Sequence, residues 1–272
     1  MQILRSKREI EMMRKAGLVV WHALQVAKSR LRVGVTTAEI DAAVEEFFAS
    51  QRAEPLFKGV PGRVPFPAVT CISVNEEVVH GIPGPRELVA GDLVSVDFGA
   101  IVDGFHGDAA ITFGVGELSE ADQRLSDVTL ESLWAGIAAA HLGGRVTDIS
   151  HAIEKSIRAR RERYGILKDY TGHGIGSEMH QAPYVPNVGR PGRGPRIVEG
   201  LALAVEPMVT LGSAVGVTLD DEWTVVTKDG SRACHWEHTI TVTPKGLWVL
   251  TAEDGGEAEL SARGVPFGPL GD

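Results

Sequence analysis

Asp97 and Asp108 flank an Asp103-Gly104 pair within the run Asp97-Phe-Gly-Ala-Ile-Val-Asp-Gly-Phe-His-Gly-Asp108. Asp-Gly between two apolar runs is a strong signal for a two-residue hairpin turn. With that turn, 102 pairs with 105, and counting outward sets Asp97 opposite Ala110, two residues from Asp108 on one face. The two carboxylates are then diagonal neighbours, roughly 7–8 Å apart at the backbone. Their oxygens can close on a pair of metal ions roughly 3.5–4 Å apart. Two like charges on one face repel, and a cation between them is the simple physical remedy. Taken alone, the hairpin is equally compatible with one aspartate solvated on a sheet edge.

Three further donors weigh on that choice. Thr171-Gly-His173-Gly-Ile-Gly176 sets an imidazole among glycines that let backbone approach closely. Glu206 ends an apolar strand and is followed by Pro207, and Glu237 lies in the apolar, β-branched stretch Trp236-Glu-His-Thr-Ile240. Each alone reads as a turn histidine or a strand-end acid. Together they are more acid than a sheet-rich core buries unpaired.

The elements that must position these groups come in two matching sets. Val89-Ala-Gly-Asp-Leu-Val-Ser-Val-Asp97 matches Val198-Glu-Gly-Leu-Ala-Leu-Ala-Val-Glu206 at an offset of 109 residues, each an apolar strand closed by a carboxylate. Ile10, Met13, Gly17, Val20, Leu24, Ala27 and Leu31 step by three and four, which predicts a helix over 7–31. Thr36-Thr-Ala-Glu39 is a capping box for a second helix. Residues 59–67 read as a proline-broken loop and 68–113 as strands. Helices over 119–140 and from Thr147 to about Arg163, then further strands, repeat the order. The second helix of each pair starts 111 residues after its counterpart on this reading. The sequence from about Ala252 lacks periodicity and is expected to be a flexible extension.

Bulk properties bound the function. The 272 residues suffice for one sizeable domain or two small ones, and 43% hydrophobic with 23% charged content is globular. A net charge of −9 argues against nucleic acid as the main ligand. The run Arg158 to Arg163 reads as a solvated helix face. Two cysteines make no disulfide framework, the start is charged, and no run approaches membrane-spanning length. A soluble cytoplasmic protein is expected.

At this point the chain resembles the type I methionine aminopeptidases. The resemblance is carried by Thr70-Cys-Ile-Ser-Val-Asn75 through His80-Gly-Ile-Pro83, Gly91 to Asp97, Asp103-Gly-Phe-His-Gly-Asp108, Gly172-His-Gly-Ile-Gly176, Glu206-Pro-Met208 and Trp223 to Thr239. It spans roughly residues 5–250. It implies an α+β pita-bread fold, two pseudo-symmetric halves of helix pair plus antiparallel sheet around a dinuclear metal site. The catalytic domain is expected over 1–251, its halves meeting near 115, in the short form without a zinc-binding N-terminal extension. The resemblance also implies two divalent ions (Co, Mn, Fe or Zn). Asp97 would hold one, His173 and Glu206 the other, and Asp108 and Glu237 would bridge them. A Na or K ion is implied near Asn75 and Ser231.

The same resemblance assigns Glu206 as proton acceptor for the attacking water, His180 to the tetrahedral oxyanion and His80 to the substrate nitrogen. Phe66, Cys71, Met179 and Trp223 would line the slot for a terminal Met side chain, beside His80 and His180. Three departures from the family pattern surround that slot: Met179 where an aromatic residue is common, a longer loop from Glu54 to Pro67, and Gln-Ala-Pro after His180. His106 on the hairpin reads as structural. The expected activity is removal of the N-terminal methionine of nascent proteins when the second residue is small. The chain itself, starting Met1-Gln2, would then keep its own methionine. A monomer with transient ribosome contact, and with no DNA or membrane partner, is expected. Two alternatives are a proline-specific aminopeptidase of the same fold, which usually carries a large extra N-terminal domain, and an inactive binding relative, which would show lost ligands.

Overall fold

Local capping starts the helices of the computed structural model, which describes residues 2–271. Ser6 Oγ accepts the Glu9 N–H while the Glu9 carboxylate takes the Ser6 N–H, and Thr36 and Glu39 repeat that reciprocal pair. These boxes open α1 (Lys7–Arg30) and α2 (Thr37–Gln51). The first half continues with β1 (Glu54–Pro55), β2 (Cys71–Val74), β3 (Glu77–Val79), β4 (Leu93–Val102) and β5 (Phe105–Gly114). The second half opens with α3 (Glu120–Ala139), capped by Ser119, and α4 (Val146–Arg158). Strands β6 (Gly165–Ile166), β7 (Gly172–Gly174), β8 (Gln181–Val185), β9 (Ala202–Val205) and β10 (Met208–Thr210) follow. Then come β11 (Gly216–Thr218), β12 (Val225–Thr227), β13 (Ala233–His235), β14 (Glu237–Thr243), β15 (Gly246–Val249) and α5 (Glu257–Ala262). Met1, whose retention the second-residue rule concerns, and Asp272 lie outside the described residues.

The main sheet runs β1-β4-β5-β14-β9-β7-β8, with β2 paired to β4 and β15 to β14. The two halves join where β5 meets β14, antiparallel, with Glu237 opposite Ala110. Each half has its own apolar layer. Leu24, Ile40, Val44 and Phe48 of α1 and α2 pack on Val96 and Phe98 of β4. Leu133, Ile137, Ile149 and Ile153 of α3 and α4 pack with Leu203, Val205 and Ile240. α1 lies directly on backbone: a Cβ on Gly17 would collide with the Leu250 carbonyl, and one on Gly107 of β5 with the Gly17 main chain. Glycine on both sides of that crossing lets helix and sheet touch without side chains between them.

The repeat is more regular than the sequence suggests. α4 begins at Val146, not Thr147, because the Asp148 carboxylate reaches back to the Arg145 N–H at 2.7 Å and fixes the first turn one residue earlier. The second helices of the two pairs then start 109 residues apart, the same offset as Asp97 and Glu206. α4 ends at Arg158, and Arg160 to Arg163 are exposed.

Residues 252–271, expected as a flexible extension, are docked on the body. Arg14 of α1 donates to the carbonyls of Leu250 and Ala252 and, through Nη2, to that of Glu253 at 2.7 Å. Leu260 of α5 is fully buried in the core of the second half, and Phe267 bridges Leu247. The apolar Leu260, Val265 and Phe267 are too far apart for a periodic signal, yet each meets an existing surface. Leu260→Ala should therefore cost about 2–5 kcal/mol, as buried leucines do, read as a lower urea midpoint of the chelated protein. An undocked tail would leave that midpoint unchanged.

Candidate metal centre and substrate pocket

The strand order sets five donors in a row across the seam between the halves. Asp97 lies on β4, Asp108 on β5, Glu237 opens β14, Glu206 follows β9, and His173 is the middle residue of β7. The hairpin has the register expected from Asp103-Gly104: Val102 pairs with Phe105, Asp97 with Ala110 and Asp108 with Gly99. Ala110 is flanked by Asp97 on one side and Glu237 on the other, so those two carboxylates share a row. His173 sits opposite Ala204, two residues before Glu206. Glu206 and Pro207 separate β9 from β10, and Pro207 has no N–H to continue the ladder.

The side chains converge. Ligand atoms of Asp108, His173 and Glu237 lie within 4.8 Å of one another. His173 Nε2 is 3.4 Å from Glu206 Oε1. His173 Nδ1 lies 3.0 Å from the Gly174 carbonyl and takes the proton there, which leaves the Nε2 lone pair aimed at the carboxylates. Asp97 Oδ1, Asp108 Oδ1 and Glu237 Oε1 are buried and have no hydrogen-bond partner among the described residues. Burial and then repulsion from neighbouring carboxylates hold Asp97, Glu206 and Glu237 well above the usual carboxylate range, and burial pushes Asp108 up to about 7. Unpaired buried oxygens that resist ionisation, facing one lone-pair nitrogen, are a donor set that fits divalent cations.

A recess of about 110 Å³ opens above these groups. The sequence-predicted residues Phe66, Cys71, His80, Met179, His180 and Trp223 all line it, together with Asp97, Asp108, His173, Glu206 and Glu237. Cys71 pairs with Asp97 across β2 and β4, so its sulfur lies beside that carboxylate. Burial, then the charge of Asp97, push the thiol up, so Cys71 is a neutral wall and not a thiolate. Phe66 meets Trp223 edge-on at 5.2 Å, and Trp223 is pinned by its Nε1–H to the Val64 carbonyl at 2.8 Å. His80, with φ of 60°, stands edge-on to Tyr170 and Trp223. His180 meets the His173 ring edge-on at 4.3 Å. Burial lowers His80 to about 4, and partial desolvation lowers the more exposed His180, so each is neutral near pH 7.

Phe57 and Val60 also line the recess, and the sequence reading passed over both as loop residues. The available signal was the apolar density of that loop, too high for a solvated connection. His235 was missed as well. Its Nδ1 is 3.9 Å from Asp97 Oδ2 and its Nε2 is 3.8 Å from Glu206 Oε2. Period-two spacing from Glu237 could have found it. Asn75 and Ser231 lie close in space, since the Asn75 carbonyl accepts the Ala233 N–H. Their side chains are spent elsewhere: Asn75 Oδ1 accepts from Leu93 N–H and Arg232, and Ser231 Oγ donates to Asp229. His106 is buried and lines no part of the recess.

Comparison with known proteins agrees with this geometry. The model of metallopeptidase family M24 matches residues 11–244. The methionine aminopeptidase 1 of Mycobacterium tuberculosis is 52% identical over 252 residues, covering 91% of this chain and 94% of that protein. The methionine aminopeptidase 1 of Bacillus subtilis is 44% identical over 92% of this chain and 99% of its own length. The crystal structure of the methionine aminopeptidase from Thermotoga maritima superposes with a TM-score of 0.89 at 42% identity, over 93% of this chain and all of that one. A prolidase from Pyrococcus furiosus shares only the fold, at 23% identity and a TM-score of 0.73, and this chain spans 66% of it. A pita-bread sheet with its carboxylates at the seam, matched over most of its length at these identities, means that the chain belongs to metallopeptidase family M24 and, within it, to the methionine aminopeptidases.

Proposed function

We propose that this protein is a metal-dependent exopeptidase that removes the N-terminal methionine from peptides and nascent proteins whose second residue is small. The observation that carries the reading is the convergence of four carboxylates and one imidazole on the floor of an apolar recess. The names of its relatives support the same activity. Asp97, Asp108, His173, Glu206 and Glu237 would hold two divalent ions. The donor set of oxygens with one nitrogen suits Mn, Fe or Co. A Na or K ion near Asn75 and Ser231 would draw on main-chain oxygens or the Ser231 hydroxyl, because Asn75 Oδ1 already accepts from Leu93 N–H and Arg232.

Bound divalent ions supply Lewis acidity toward the scissile carbonyl and a water acidic enough to lose its proton near neutral pH. Glu206, at the edge of the cluster, accepts that proton. His180 donates an N–H to the carbonyl oxygen as it gains negative charge. His80, braced by Tyr170 and Trp223, meets the substrate nitrogen at the scissile bond. The substrate α-amine lies beside Asp97, and its thioether fills the slot between Phe66, Cys71, Met179 and Trp223.

Release of free methionine from Met-Ala-Ser by chelated enzyme refilled with Mn, Fe or Co tests the activity, beside Met-Gln-Ser and an Ala-Pro peptide. Metal-dependent cleavage of Met-Ala-Ser alone is expected, and Asp97→Ala, His173→Ala or Glu237→Ala should abolish it. Cleavage of only the Ala-Pro peptide would move the protein to the proline-specific branch. Near-normal turnover of the alanine variants after metal is restored would sink the ligand assignment.

The metal sites also have a readout independent of turnover. Asp108 is raised in the fold from 3.8 to about 7, so the folded metal-free protein binds more protons than the unfolded chain. Its stability is therefore present below about pH 4 and falls as pH rises through about 7. The Tm of chelated protein should drop from pH 5 to 8. Saturating Mn²⁺ at pH 8 should raise it by about 5–10 °C, the equivalent of about 2.7 kcal/mol at a hundredfold excess over Kd. Asp108→Asn should weaken the pH dependence, the raised carboxyls of Asp97, Glu206 and Glu237 keeping the rest, and remove most of the Mn²⁺ response. A Tm indifferent to both pH and Mn²⁺ would contradict a cation-compensated cluster.

A further inference from the structure

The loop that carries Met179 and His180 leaves β7 and returns as β8, and Ser177, Glu178 and His180 are exposed on it. Nothing in its own sequence makes it rigid. Beneath it lies a residue from the opposite end of the chain. Arg5, in the segment before α1, has a side chain only 6% exposed. Its Nη2 donates to Gln181 Oε1 at 2.8 Å and to Ser177 Oγ at 3.4 Å, one contact on each flank of Met179 and His180. The loop backbone rests on the guanidinium itself, since a Cβ on Gly176 would collide with Nε, Cζ and Nη2.

Arg5 is in turn held from two directions. Its N–H donates to the Gly200 carbonyl at 2.7 Å, and its Nη1 lies 3.7 Å from Glu9 Oε1, the carboxylate that caps α1. His106, at the start of β5, adds its N–H to the Gly176 carbonyl at 2.8 Å. A planar cation with several fixed donors can brace two acceptors and a flat stretch of backbone at once, which a lysine ammonium cannot.

We propose that Arg5 is a positioning residue, the strut that fixes the 176–181 loop and so holds His180 over the reacting carbonyl. The proposal rests on the role given to His180 above. Arg5 touches no substrate atom and acts only through the loop. Loss of the strut acts mainly on the transition state, because His180 engages charge that develops there, so kcat falls more than KM changes.

The test is steady-state cleavage of Met-Ala-Ser by metal-loaded, full-length Arg5→Met, Arg5→Lys, Gln181→Met, His180→Ala and the Arg5→Met/His180→Ala double variant. Arg5→Met is expected to lower kcat about tenfold or more, with KM within about twofold and the Mn²⁺-induced rise in Tm retained. Arg5→Lys recovers part of the loss. Gln181→Met, which removes the acceptor and leaves the seat of Arg5 intact, gives a loss of the same kind even if Arg5→Met folds poorly. In the His180→Ala background, Arg5→Met has no further effect on kcat, and any remaining change falls on KM through Met179. Multiplying losses in the double variant would overturn the proposal, as would wild-type kcat in both Arg5→Met and Gln181→Met beside a large loss in His180→Ala. Full kcat in His180→Ala would overturn the role of His180, and this proposal with it.

Discussion

Repulsion among Asp97, Asp108, Glu206 and Glu237, crowded at the floor of one recess, is the constraint on which the rest of the structure depends. Removing a carboxylate from water costs several kcal/mol, and a second beside it adds to the penalty. Three of the four leave a buried oxygen without a partner among the described residues. Such a cluster has two outlets: protons, or cations of higher charge. The raised carboxyls show the first outlet in the metal-free fold, and His173 biases the second. Its Nδ1 is committed to a main-chain carbonyl, so only a lone pair faces the acids and no imidazolium neutralises them.

A cluster this unfavourable stays assembled only if its frame is stiffer than the repulsion. The sheet supplies that frame by drawing one donor from each of five adjacent positions along β4-β5-β14-β9-β7. Ladders on both sides fix β4, β5, β14 and β9, so Asp97, Asp108 and Glu237 cannot escape by a local shift, and Glu206 is held at the end of β9. The helix pairs close the layer behind the sheet. The glycine crossing of α1 on β5 presses that layer against backbone, where side chains would otherwise hold it away.

The parts legible in the sequence are those whose physics is local. Asp103-Gly104 fixes a turn, and with the turn comes the register that sets Asp97 beside Asp108. Thr36 with Glu39 fixes the start of α2 to the residue. The 109-residue echo from Asp97 to Glu206 exposed the duplication, because each half must end an apolar strand on an acid at the same seam. What was not legible is nonlocal. Leu260 looks solvated until the surface it meets exists. Phe57 and Val60 read as loop because proline spacing hides the pocket wall they form. His235 keeps period-two spacing from Glu237 but sits on a separate strand, so its approach to Asp97 and Glu206 shows only in the assembled sheet. Arg5 and Gln181 are 176 positions apart, and no periodicity connects them.

The same architecture accounts for action at chain ends under the proposed reading. The donors lie on the floor of the recess, and its walls, Phe57, Val60, Phe66 and Trp223, are bulky and apolar. A polypeptide crossing the site would need to extend past Asp97 into the sheet, where Cys71 and β2 already occupy the ladder. On the proposed reading a chain enters by its terminus, with one side chain in the slot. The local charge then selects which terminus. An α-ammonium approaching acids that share too few protons is attracted, whereas an α-carboxylate is repelled. Restriction to one residue would follow from β2 walling the recess beside Asp97, and restriction to the amino end from the acids that the sheet forces together.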